Sequence, residues 1–89
     1  MNNRPPEIIK KTTTHLNRIE GQVRGIKRMV EEGANCDDVI AQILSVQKSI
    51  GSVAQLLVAS HIKTCITPRL EKGDGQATED LIKTVGRMM

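Results

Sequence analysis

Two long stretches of this chain repeat apolar residues every three or four positions, and no Phe, Tyr or Trp is present to build a core in any other way. In the first stretch Ile9, Thr12, Leu16, Ile19, Val23, Ile26 and Val30 advance alternately by three and by four. Residues three and four apart are neighbours on one face of an α-helix, and a sustained alternation of the two steps is the pattern of helices packed along their length. Pro5 and Pro6 suit the first helical turn, where their missing N–H is not needed. Gly33 suits the left-handed residue that closes a helix. The pattern predicts a first helix over about residues 6 to 32.

The second stretch is Val39, Ile43, Val46, Ile50, Val53 and Leu57, continuing through Ser60 and Thr64. Asn35 can cap it, with Asp37 and Asp38 in a first turn whose dipole favours negative charge. Pro68 removes a helical hydrogen bond and restricts Thr67, so an end or a kink is expected close to that residue. Gly73-Asp74-Gly75 reads as a turn, and Ala77, Leu81, Val85 and Met88 mark a short third helix. With no strand pattern, the expectation is a single all-α domain over residues 1–89. Its protomer has three helices, the first two forming a long antiparallel hairpin and the third serving as an accessory.

A monomer of 89 residues buries only about 60 to 65% of its unfolded surface. Association is the usual remedy for so small a core. No run of 18 apolar residues occurs, and the N-terminal residues lack the apolar stretch of a signal peptide, so the reading is a cytoplasmic protein without a membrane partner. The net charge is +3, which in a tetramer becomes 4 × 3 = +12, enough to draw the assembly toward a polyanion.

His61 and Cys65 are four residues apart, so one helix face offers an imidazole and a thiol together. The other cysteine, Cys36, falls at the expected start of the second helix, a position that suits an anionic ligand. Two sulfurs and one nitrogen suit Cu(I) well and Zn(II) less decisively. In a reducing compartment such cysteines are ligands or reactive thiols more readily than a disulfide. Taken singly, each could equally be a small buried hydrophobe or a satisfied polar group. A continuous helix sets Cys36 and His61 roughly 37 Å apart, so one chain cannot close the site along helix 2. Two copies packed antiparallel about a two-fold axis near residues 49–51 bring Cys36 of one chain to His61 and Cys65 of the other, and the small residues Ser45, Ser49, Gly51 and Ser52 allow a close crossing.

Several stretches taken in order resemble the CsoR family of copper-sensing repressors, whose relatives include nickel/cobalt, formaldehyde and persulfide sensors. They are Arg18-Ile-Glu-Gly-Gln-Val-Arg-Gly-Ile26, Cys36 with Asp38-Val39, Gln42-Ile43, Ser45-Val46-Gln47, His61 through Cys65, and Gly73-Asp74-Gly75. The resemblance implies a four-helix-bundle dimer assembled as a dimer of dimers, with one Cu(I) per protomer held by Cys36, His61 and Cys65. It also implies an operator DNA partner that is released when copper binds, derepressing copper-resistance genes. Nickel/cobalt members commonly add a ligand near the N-terminus, at about Arg4, which has no lone pair to offer; persulfide sensors keep both cysteines but lack the histidine. Asn35 stands where copper members often carry a Tyr, and Glu79 or Asp80 is nearest to the Glu that such members use to orient the histidine.

For DNA, no helix-turn-helix or basic zipper is legible. Helix 1 carries Lys11, His15, Arg18 and Gln22 on one stripe with Arg24 and Arg28 beside it. Such charges are ordinarily a solvated face; the resemblance makes them phosphate contacts. His15 and Ser52 stand where relatives carry basic residues. Three other functions compete with copper sensing: a repressor switched by oxidation or persulfidation of Cys36 and Cys65, a Cys-His enzyme, and a plain helical adaptor. The enzyme fares worst, having neither a glycine-rich loop nor a third residue to orient the dyad.

Overall fold

In the computed structural model, which describes residues 4–88, the first helix, α1, runs Pro6–Glu31. The second, α2, runs without a break over Cys36–Glu71, and the third, α3, over Gln76–Gly86. Met1–Asn3 and Met89, part of the expected 1–89 domain, lie outside the described residues. Among the described residues there is no strand, and the molecule measures 57 × 27 × 16 Å.

Both connections are closed by a glycine with positive φ, which only a residue without Cβ adopts cheaply. Gly33 has φ 74°, and Ala34 N–H donates back to Met29 O at 2.9 Å. Gly73 has φ 81°, with Asp74 N–H donating to Arg69 O at 2.9 Å. The first turn folds α1 and α2 into an antiparallel hairpin whose core is Ile19, Val46 and Val53, flanked by Ile26 and Leu57. At the far end α3 presses Ala77 against the last turns of α2, where Ile66 is also fully enclosed.

Only half of each expected apolar seam packs within the chain. On α1, Thr12 and Ile19 are buried and Ile26 is half-buried, whereas Ile9, Leu16, Val23 and Val30 are exposed. On α2, Val39, Val46, Val53 and Ser60 face inward at seven-residue intervals, while Ile43 and Ile50 remain 42% and 49% exposed. The stripe on each helix is wider than one neighbouring helix can cover. As a result α2 is long and apolar enough, by length and composition, to cross a membrane, and its most apolar window is only 17% buried. Its polar positions are scattered along the helix, so no unbroken run of 18 apolar residues occurs in it.

Helix α2 also does not stop at Pro68. Residues Ile62–Ile66 form a π-helical turn and the α-helix resumes over Thr67–Glu71. Thr67 N–H donates to Ile62 O, five residues back. A proline ring normally collides with the carbonyl four residues earlier; the wider turn just upstream relieves that collision, so the chain passes through Pro68 instead of ending there.

Candidate metal centre

His61 immediately precedes this π-turn and Cys65 lies within it. Its wider winding still keeps residues four apart on nearly one side of the helix, and both side chains line one cleft of 440 Å³. Thr64 Oγ1 donates to Ser60 O at 2.9 Å, which fixes the local side-chain order. Around the two lie Leu57, Val58 and Ser60 from α2, Thr84 from α3 and Arg4 from the segment before α1. Ser60 is only 7% exposed, and its hydroxyl has no hydrogen-bond partner among the described residues.

Cys36 is the first residue of α2 and is exposed. Asn35 caps the helix there, its Oδ1 accepting from Asp37 N–H at 2.9 Å, so its side chain orders the helix start on which Cys36 sits. Along the 26 residues from Cys36 to His61 the helix rises roughly 37 Å. Among the described residues no three His, Cys, Asp or Glu side chains converge as a metal site within one chain. The two halves nevertheless share a face. Twenty-five residues is close to seven whole turns, so Cys36 and His61 point within roughly 20° of each other. The exposed Ile43 and Ile50 stand on the same line between them.

Of the residues expected to orient the histidine, Asp80 is otherwise engaged. Arg69 Nη2 lies 2.8 Å from Asp80 Oδ2 while its Nε donates to Asp74 Oδ2 at 2.8 Å. These contacts hold both carboxyls below their ordinary value and push the guanidinium up. Glu79 is exposed and does not line the cleft. The residue α3 brings to the cleft is Thr84, whose Oγ1 donates to Asp80 O at 3.1 Å. Thr84 follows the buried Ala77 by seven residues, the spacing that could have revealed it. Arg4 was legible only as a residue unable to ligate; its place in the cleft depends on the path of the Pro5-Pro6 segment.

The expected basic stripe on α1 divides. His15 and Gln22 alternate with Ile19 and Ile26 and turn partly inward, half-buried, because the inward face is centred nearer to them than the apolar series implied. The Gln22 side-chain oxygen is buried and unpartnered among the described residues. Lys11 and Arg18, seven residues apart, remain exposed on one flank. Arg24 and Arg28 are exposed roughly 100° further round the helix, and Arg24 pairs with Glu20 at 2.9 Å.

Residues 9–87 match the family model described as metal-sensitive transcriptional repressor. The chain is 44% identical over 71 residues to the copper-sensing transcriptional repressor CsoR of Bacillus subtilis, covering 79% of this chain and 70% of that one. It is 44% identical over 68 residues to the copper-sensing transcriptional repressor RicR of Mycobacterium tuberculosis, covering 72% and 71%. The fold superposes on the Cu(I)-bound copper-sensing repressor CsoR of Geobacillus thermodenitrificans with a TM-score of 0.88 and 32% identity, covering 98% of this chain and 92% of that one. It also superposes on the nickel-responsive transcriptional regulator InrS with a TM-score of 0.81 and 30% identity, over 100% and 98% of the two chains. Three helices in this order, joined by two glycine turns and matched along almost their whole length, identify the chain as a member of the metal-sensitive transcriptional repressor family, which are regulators and not enzymes.

Proposed function

We propose that this repressor responds to Cu(I), bound one per protomer between two chains by Cys36 of one and His61 and Cys65 of the other. The observation that carries the reading is that Cys36, at the start of a rod-like helix, and His61, about seven turns further along, share one face, with exposed Ile43 and Ile50 between them. Burying that face against its own copy is isologous, so Cys36 of each chain meets the His61–Cys65 cleft of the other. Two such α1–α2 hairpins make a four-helix bundle, and the uncovered Ile9, Leu16, Val23 and Val30 stripe supports further association into a dimer of dimers.

The donor set fits the ion. Two thiolates and one imidazole suit Cu(I), whereas nickel asks for further nitrogen or oxygen ligands. Among the described residues, the side chain that reaches the cleft from the N-terminal segment is Arg4, which cannot ligate. Without copper, the assembly holds operator DNA in the cytoplasm through phosphate contacts from exposed Lys11 and Arg18, with Arg24 and Arg28 further round the helix. The half-buried His15 and Gln22 serve the helix packing, and DNA shape supplies part of the specificity. Drawn onto one ion, the three side chains hold paired α2 helices in an arrangement that fits DNA poorly, and copper-resistance genes are expressed. Coupling in such systems is about 1 to 3 kcal/mol, and DNA weakens copper binding by the same factor.

Gel-shift titration against the DNA upstream of its own gene tests this. Cu(I) at one equivalent per chain releases wild-type protein, and His61→Ala abolishes the release. If a persulfide donor releases both proteins equally while copper releases neither, the Cys36–Cys65 thiol switch replaces the copper reading.

A further inference from the structure

The cleft that holds His61 and Cys65 contains one permanently charged side chain among the described residues, Arg4. Arg4 is positioned by the chain before it becomes helical. Pro5, the N-cap of α1, sits at φ −59° and ψ 144°, and a following proline restricts the residue before it to extended conformations. The cleft is hydroxyl-lined, by Ser60, Thr64 and Thr84, and Arg4 shares its lining.

The other half of the site carries the opposite charge. Cys36 is followed at once by Asp37 and Asp38, both exposed. The two carboxylates point different ways. Asp37, Ile40 and Leu44 follow one another at i, i+3 and i+7 along one flank, and Ile40 and Leu44 are 46% and 57% exposed. Asp37 thus borders the same uncovered apolar face as Cys36, whereas Asp38 lies roughly another 100° round the helix and turns away from it. Among the described residues Asp37 makes no ion pair within its own chain.

We propose that Arg4 is a positioning residue. It receives Asp37 of the partner subunit when the partner's Cys36 enters the cleft, and the ion pair sets the thiol beside His61 and Cys65. This rests on the inter-subunit reading above, since the two charges meet only if the two chains do. The pair is flanked by apolar surface on the Ile40 side and by the cleft wall on the other, an environment in which a guanidinium and a carboxylate attract more strongly than in open water.

The test is a charge swap read by Cu(I) affinity against a competing chelator. Arg4→Glu and Asp37→Lys, each made alone, set like charges against one another and weaken Cu(I) binding about tenfold at roughly 0.05 M salt. Together in one chain they restore it to within about twofold. Arg4→Lys keeps most of the affinity, and the single-variant losses shrink near 1 M salt, where the screening length is about 3 Å. Helicity by circular dichroism, unchanged throughout, separates positioning from folding. Losses that simply multiply in the double variant overturn the proposal. Co-refolded Cys36→Ala and His61→Ala chains report separately on the underlying reading: a mixed dimer retains one intact site, and if mixing restores no Cu(I) binding, the shared site itself is wrong. Restored binding in the mixed dimer with no rescue by the swap refutes the Arg4–Asp37 pair alone.

Discussion

Arg69, near the end of α2, is joined to Asp80 in the first turns of α3 by a 2.8 Å ion pair. Asp74 in the intervening turn holds the same guanidinium at 2.8 Å. This three-residue clasp ties α3 to the end of the helix that carries the His61–Cys65 cleft.

Acid is expected to open the clasp. Contact with Arg69 lowers both carboxyls from their ordinary 3.8. Groups lowered on folding contribute stability that is fully present above the unfolded value and fades as pH falls through the native one. Amide exchange in α3 should therefore accelerate selectively below about pH 4, while the centre of the α1–α2 hairpin stays protected. An Arg69→Ala chain, already lacking the clasp, should show no such step.

The uncovered line on α2 gives a test far from any ligand. Ile50 stands about 21 Å from Cys36 and about 16 Å from His61 along the helix axis. Ile50→Glu places a charge on the face that the proposed pairing buries. Sedimentation should show dissociated chains, and Cu(I) titration should show loss of the tight complex. A variant that remains paired and binds copper normally would place the interface elsewhere.

Glycine positions separate backbone need from open space. Gly33 sits at φ 74°, where a side chain costs about 1 to 2 kcal/mol, so Gly33→Ala should lower the denaturation midpoint. Gly25 lies within α1, and a Cβ there would meet nothing within 4 Å. Gly25→Ala should raise the midpoint by an increment worth about 0.5 to 1 kcal/mol. Both need comparison at one protein concentration, since association contributes to the apparent stability.

On DNA, the divided basic residues should behave differently. Lys11→Ala and Arg18→Ala should each reduce the salt slope of operator binding by about one. Arg24→Ala should change it less, because Arg24 faces another direction and is paired with Glu20. Equal slopes for all three variants would show that DNA wraps further round α1.

Much of the architecture could be read from spacing. The two seams, the Asn35 cap and both glycine turns lie where local chemistry requires them, because each is set by residues within a few positions of one another. What spacing does not supply is which member of a wide stripe turns inward. The apolar series places Leu16 and Val23 in the core and His15 and Gln22 on a polar stripe, yet it is His15 and Gln22 that turn partly inward, because only the partner helix decides which flank is covered. The passage of α2 through Pro68 escaped for a related reason: the compensating π-turn is a hydrogen-bond rearrangement, with no residue signature of its own. Of the cleft, His61 and Cys65 were visible as a pair, whereas Arg4 and Thr84 arrive from segments distant in sequence.

The unbroken span of α2 bears on cellular dose as well as on geometry. If the site is shared as proposed, an unassembled chain offers only part of the donor set, so wherever dilution dissociates the chains, a cell that makes little of this regulator also makes it a poorer detector. Expression level then becomes a second dial on the threshold, independent of how strongly sulfur and nitrogen grip the ion.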